Sequence, residues 1–356
     1  MSAPFAASLS SRKWITLTAL LGYLALALFL LYIVNVNQLI SVIKRISPEL
    51  FTLAVASNLI AFTFDALVWY QLLKNLSIKI SFRRAYILSW VGVFVDNLIP
   101  SGWSGDFFKA YLLNKDPNVK SGQAVASVVA KNVYEAIFVL GGMAASLFLL
   151  FEYYNTVGSV LSALAGVIIL LTLPLAILLV ASFKPTAAKK FVSACFKFVS
   201  AISKKRWNLS NLEAKVEKAV GDYHEGMKLV LQDRKMVILP LLFSFFTWVF
   251  EVFTVLFTFA ALGQPIPVDK VIIVRSVAGV VEAQGFAFSG YTQILTGEIY
   301  RSLGVPIAVG VSVALLGGIL IFSLKAVISY VAFHYTVFPS QPEPSTNIVE
   351  PISARD

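Results

Sequence analysis

Residues 95–109 read VDNLIPSGWSGDFFK, and the way this stretch is drawn decides the fold. It breaks an otherwise apolar region, 85–113, first with Asp96 and Asn97, then with Pro100, Gly102 and Gly105, and finally with Asp106 and Lys109. Proline removes a backbone donor and glycine frees the backbone, so one straight helix is not expected to run through. The region is either a broken crossing or a hairpin that enters the membrane and returns to its own side. A second apolar region, 268–305, is interrupted in the same manner around Gly285 and Gly290.

Outside these two regions lie uninterrupted apolar runs at 14–34, 50–73, 123–150, 157–183, 236–262 and 306–338. Each is long enough to cross roughly 30 Å of hydrocarbon. Trp14, Trp69, Tyr70 and Tyr153 sit near run ends, where interfacial aromatics belong. Composition agrees: the 356 residues are 58% hydrophobic and 13% charged, with mean hydropathy +0.80, whereas soluble domains average about 25% charged residues. With 29 Lys/Arg and 19 Asp/Glu, no stretch is long and polar enough to hold a large soluble catalytic domain. The first run follows Arg12 and Lys13, exceeds a signal-peptide core and precedes no small-residue cleavage pattern, so it is expected to remain as a helix. Cys195 is the single cysteine, and His224 and His334 are the two histidines. That excludes a disulfide framework, a thiolate metal site and a paired-histidine motif, and no cofactor is expected.

Charge placement chooses between the two drawings. If both broken regions cross, segment 74–84 lies opposite the basic loop 184–235, and lysines and arginines are divided between the faces. If both return, the basic clusters at 12–13, 74–84, 109–120 and 184–235 fall on one face, as cytoplasmic loops require. The expected fold is therefore all-α: a polytopic integral membrane helix bundle with about six full spans and two opposed re-entrant helical hairpins, eight hydrophobic segments in all. One transmembrane domain is expected over 1–338 in the cell membrane, with both termini cytoplasmic and a disordered Pro/Ser/Glu-rich tail over 339–356. Opposed hairpins suggest transporter-like pseudo-symmetry, with backbone breaks lining a cavity near mid-membrane.

The loop 184–235 carries twelve Lys/Arg against five Asp/Glu. Phe191, Cys195, Phe198 and Ile202 recur at helical spacing among lysines. The pattern suits a basic amphipathic helix lying on an anionic leaflet, and equally a charged linker that only fixes topology.

Ionisable groups at membrane depth each cost at least ~2.5 kcal/mol at a helix centre, so they mark function or pairing. Here they are Asp65, Asp96, Lys131, Glu135, Glu251, Arg275, Glu282 and Lys325. Lys131 and Glu135 are four apart and share a helix face, which fits either a structural pair or part of a polar cavity. Gly102 and Gly105 allow backbone amides to approach a ligand, and a helix beginning near Ser104 would aim its positive end at an anion. The plain alternative is a turn with a cap and an Asp106–Lys109 ion pair.

The stretch 51–140 resembles the lysylphosphatidylglycerol synthase transmembrane, flippase-like family, which includes UPF0104-type membrane proteins. The resemblance rests on Val68-Trp69, Asn97-Leu-Ile-Pro100, Gly105-Asp106-Phe-Phe-Lys109-Ala110 and Ala130-Lys131-Asn132. Acid and base are kept in type at 106, 109 and 131, while the arginine before the tryptophan is replaced by Val68. The family's second signature is matched by Leu303-Gly304-Val305-Pro306. Upstream, Gln293 stands where the family has glutamate, which weighs against a charge-dependent role for the second hairpin.

The resemblance implies movement of a phospholipid or lipid-linked headgroup between leaflets, in some members beside an aminoacyl-transferase domain that this chain does not show. Lys109, Lys131, Arg275 and Lys325 would supply phosphate contacts. Asp96, Asp106 and Glu135 would bind an amino or sugar part or exchange protons, and Asn97, Pro100, Gly102, Gly105, Glu282 and Gln293 would complete the substrate site. Expected partners are membrane lipids, anionic phospholipid or a lipid-linked substrate, with no nucleic acid; a homo-oligomer or a separate lipid-modifying enzyme also fits. Two other readings stand beside this one: a secondary transporter of a small polar solute, and an intramembrane lipid-modifying enzyme or accessory protein. Against an enzyme, the sequence shows no D-x-D, H-x-x-x-x-D or Ser/His/Asp grouping.

Overall fold

The computed structural model describes residues 40–41, 44–99, 104–117, 119, 121–153, 162, 165–166, 168–169, 173, 234–281 and 291–337. Regular structure among the described residues is helical throughout. The helices are α1 (Pro48–Asn75), α2 (Phe82–Leu98), α3 (Ser104–Leu113), α4 (Ser121–Tyr153), α5 (Arg234–Ala261), α6 (Val268–Val281), α7 (Tyr291–Ser302), α8 (Ile307–Leu315) and α9 (Phe322–Val337). A π-helical turn, Leu316–Ile321, joins α8 to α9.

Local chemistry sets the helix ends. Ser47 caps α1, its Oγ accepting from Leu50 N at 3.3 Å, with Pro48 in the first turn. Ser81 caps α2 in the same way from Arg84 N. Three helices end in one hydrogen-bonded turn with a left-handed residue at its corner. Gly304 (φ +80°) closes α7, with Val305 N donating to Tyr300 O at 2.9 Å. Gly263 (φ +69°) does so for α5, and Ser77 (φ +59°), which carries a side chain, for α1.

Among the described residues, four helical stretches are long and apolar enough to cross a membrane: Pro48–Asn75, Gln123–Glu152, Val237–Ala261 and Ile307–Val337. They coincide with the apolar runs at 50–73, 123–150, 236–262 and 306–338. The runs at 14–34 and 157–183, the basic loop up to Arg234 and the tail 339–356 lie outside the described residues, apart from the scattered positions given above. Large apolar side chains that face away from the bundle, such as Phe148 and Phe151 on α4 and Val327 on α9, suit hydrocarbon rather than water.

The described parts of the two interrupted regions are pairs of short helices. α2 and α3 have 17 and 10 residues, and α6 and α7 have 14 and 12. At 1.5 Å per residue none exceeds about 26 Å. Members of each pair pack on one another. α1 lies along α5, while α2 packs on α9 and α4 on α6. One apolar core gathers Trp69, Leu72, Leu88, Leu113 and Tyr134 from α1–α4. The other gathers Met143, Phe259, Val277, Tyr300 and Val309 from α4–α8. Ala124, Ala126, Ser127 and Ala130 give α4 a small-residue face that admits its neighbours closely.

Candidate functional site

Among the described residues, two polar regions are built inside this apolar bundle. The first is a charged cluster on α1–α4. Lys131 Nζ lies 2.9 Å from Asp65 Oδ1 on α1 and also pairs with Glu135 one turn along α4. Asp106 on α3 is held by Lys109 Nζ at 2.5 Å and by Asn132 Nδ2, which donates to it at 2.9 Å. Lys109 also stands 5.0 Å over the ring of Trp69, whose Nε1 donates to Ser127 Oγ at 3.1 Å. The two lysines are nearly fully buried, at 4% and 6% exposure. Burial at that level is tolerable because each ammonium already carries carboxylate partners.

Asp96 occupies the position that the sequence reserved for an external anion. Its Oδ1 accepts from Gly105 N at 2.7 Å and from Ser104 Oγ at 2.8 Å, at the start of α3. The positive end of that helix is therefore satisfied by the protein's own carboxylate, reaching across the α2–α3 turn. Gly92 and Gly105 make the pair close. A Cβ on Gly92 would meet Lys109 Cδ at 2.9 Å, so the lysine stem crosses α2 where only a hydrogen fits.

The second region is a cavity of about 310 Å³ bounded by α1, α2 and α5–α9. Its described charged residues are Arg275, Lys325 and Glu251, two cations against one carboxylate. Arg275 Nη2 lies 3.2 Å from Glu251 Oε2, and Lys325 Nζ stands 5.4 Å over the ring of Phe62. Asn58, Asn97, Thr254, Thr292, Gln293 and Thr296 add uncharged polar surface. Two buried amide atoms, Asn58 Oδ1 and Asn97 Nδ2, have no hydrogen-bond partner among the described residues. One is an acceptor and the other a donor, both in the wall of the same cavity. Gln293 faces the π-helical turn, where a Cβ on Gly318 would stand 2.6 Å from its Nε2. The volume sits at the lower end of the roughly 300–1,000 Å³ found for small-molecule sites.

The residues singled out in the sequence thus divide. Asp96, Gly105, Asp106, Lys109, Lys131 and Glu135 belong to the charged cluster. Asn97, Arg275, Gln293 and Lys325 line the cavity. Pro100, Gly102 and Glu282 lie outside the described residues. Lys109 pairs directly with Asp106, whose other partner, Asn132, follows Lys131 on α4. Asp65 and Glu251 were visible as intramembrane charges but not as partners. Asn58 was missed, and Asn132 was quoted in a motif but given no role; both are amides inside apolar runs, and Asn58 lies two helical turns before Asp65. Among the described residues no group of three or more His, Cys, Asp or Glu is placed to hold a metal ion.

The family described as the lysylphosphatidylglycerol synthase TM region matches residues 15–329. A UPF0104 membrane protein of Methanocaldococcus jannaschii is 22% identical, over 89% of this chain and 93% of its own length. A UPF0104 membrane protein of Pyrococcus horikoshii is 25% identical, over 83% of this chain and 90% of its own. One from Methanothermobacter thermautotrophicus is 22% identical over 73% and 78%. No solved structure matches the chain.

Proposed function

The chain belongs to the lysylphosphatidylglycerol synthase transmembrane-region family, and from that premise we propose that it moves a phosphate-bearing lipid headgroup between leaflets through the Arg275–Lys325 cavity. A headgroup stripped of water in hydrocarbon loses several kcal/mol or more per polar or charged group, and this is the barrier a translocator must lower. Arg275 offers a planar fork of donors and Lys325 a compact charge, both suited to phosphate oxygens. Glu251 and the amides of Asn58 and Asn97 accept and donate to the hydroxyl or amino part. The acyl chains stay in the bilayer while the head passes, so no bond is made or broken.

The observation that carries this reading is the cavity itself: among the described residues its wall brings Arg275, Lys325 and Glu251 together with the buried amide atoms Asn58 Oδ1 and Asn97 Nδ2. The charged cluster then serves as the rigid support that fixes α2 and α3, and so places Asn97 at the cavity wall. In this reading the α2–α3 and α6–α7 pairs are the re-entrant elements, and both termini face the cytoplasm of the cell membrane.

Purified protein in liposomes of phosphatidylcholine with phosphatidylglycerol tests the proposal. A fluorescent phospholipid placed in one leaflet should reach the other faster than in protein-free vesicles. Uptake of a small phosphate-bearing solute without lipid transfer would instead mark a solute transporter.

A further inference from the structure

A second groove, of about 600 Å³, opens at the opposite end of α2 from Asn97. The helix α3 presents two faces, and they separate cleanly. Asp106, Lys109, Ala110 and Leu113 are buried in the bundle. Phe108, Tyr111, Leu112 and, just past the helix, Lys115 recur at i, i+3, i+4 and i+7 and line the groove. The first turns of α2 form the facing wall through Arg84, Ile87 and Leu88, and the end of α9 closes it with Thr336 and Val337.

The groove is amphipathic along its length. Arg83, Arg84 and Lys115 are exposed at one end. An ion pair there is long, Arg84 Nη1 to Asp116 Oδ2 at 3.8 Å, and its arginine is largely exposed. Lys115 Nζ stands 5.0 Å over the ring of Tyr111, which places its charge at the groove rim. Beyond the cations the surface is apolar, through Ile87, Phe108 and Leu112. Among the described residues, Arg83, Arg84 and Lys115 beside Asp116, followed by an apolar trough, match a ligand with an anionic head and a hydrocarbon tail. Juxtamembrane basic groups of this kind attract anionic headgroups at a leaflet surface.

We infer that this groove holds an anionic phospholipid of the surrounding leaflet, its phosphate between Arg83, Arg84 and Lys115 and one acyl chain along Ile87, Phe108 and Leu112. The site is separate from the Arg275–Lys325 cavity and does not depend on transport. An occupied groove would cement α2 to α3 and α9, the elements that carry Asn97 and Lys325.

The test measures binding rather than transfer, so its failure is distinct from failure of the transport reading. Full-length protein in phosphatidylcholine bicelles is titrated with a fluorescent phosphatidylglycerol, with fluorescent phosphatidylcholine as reference. The expected result is preferential binding of phosphatidylglycerol, weakened about tenfold or more in the triple variant Arg83→Gln/Arg84→Gln/Lys115→Gln. Leu112→Glu, which puts a charge in the trough and leaves the cations in place, should also weaken it. Equal affinity for the two lipids, or unchanged binding in the triple variant, would overturn the assignment. So would displacement of the bound lipid by millimolar inorganic phosphate, which would mark an anion site without a tail.

Discussion

A methyl group built on Gly105 would stand 2.1 Å from the carbonyl oxygen of Gly92. The α2–α3 pair therefore meets backbone to backbone, and this contact sets the geometry of the whole charged cluster. Asp96 lies one turn after Gly92 and reaches the start of α3; Lys109 lies one turn after Gly105 and crosses Gly92.

Gly105→Ala forces the two helices apart, and overpacking of that kind costs about 1–3 kcal/mol. Gly141 on α4 provides the control, since a Cβ there meets nothing within 4 Å. Gly141→Ala should be neutral or stabilise by about 0.5–1 kcal/mol. Thermal unfolding of both variants in detergent checks the contrast. Equal stability would show that the α2–α3 contact tolerates a side chain.

Lys131 has two carboxylate partners, so its removal cannot be repaired at one of them. Lys131→Gln should destabilise by about 3–5 kcal/mol, because Asp65 and Glu135 are left facing each other. Adding Glu135→Gln should restore part of the loss, and adding Asp65→Asn most of the remainder. Full recovery in the double variant would mean that Asp65 contributes little to the cluster.

Much of this cluster was legible in the sequence and part was not. The i,i+4 spacing of Lys131 and Glu135 and the i,i+3 spacing of Asp106 and Lys109 announce pairs along one helix. The Asp65–Lys131 and Asp106–Asn132 contacts cross between helices, and no periodicity encodes them. Asp96 shows the same limit at short range. It lies eight residues before Ser104, and only the turn between α2 and α3 makes it that helix's anion. The long apolar helices were plain because hydrocarbon thickness fixes their length. The cavity was not, because its wall takes between one and four residues from each of seven helices. Arg275 and Lys325 were visible as intramembrane charges, but nothing in sequence said that they line one cavity together.

Ser77 ends α1 in the left-handed region, where Gly263 and Gly304 serve α5 and α7. An L side chain there costs about 1–2 kcal/mol. Ser77→Gly should raise the unfolding midpoint without touching transport, whereas Gly304→Ala should lower it. Both shifts are read from the same detergent melts.

Gly318 and Gln293 should behave as a coupled pair. A Cβ at 318 meets the far end of the glutamine side chain, which can move aside, so Gly318→Ala is expected to fold normally. It should still slow lipid transfer several-fold by displacing an amide from the cavity. In a Gln293→Ala background the same substitution should have little further effect, giving a non-additive cycle. Additive effects would place Gln293 outside the transport path.

The most direct test of the cavity is leaflet-to-leaflet transfer of a labelled phospholipid by Arg275→Gln and Lys325→Gln variants, run beside thermal unfolding. Each substitution removes a charge-assisted phosphate contact worth about 1.5–3 kcal/mol, so each should lower the transfer rate tenfold or more in a folded protein. Glu251→Gln, which removes the competing carboxylate, should impair transfer of an anionic lipid less than either. Wild-type transfer rates in a folded Arg275→Gln/Lys325→Gln double variant would contradict the account and leave the cavity without a role in moving lipid.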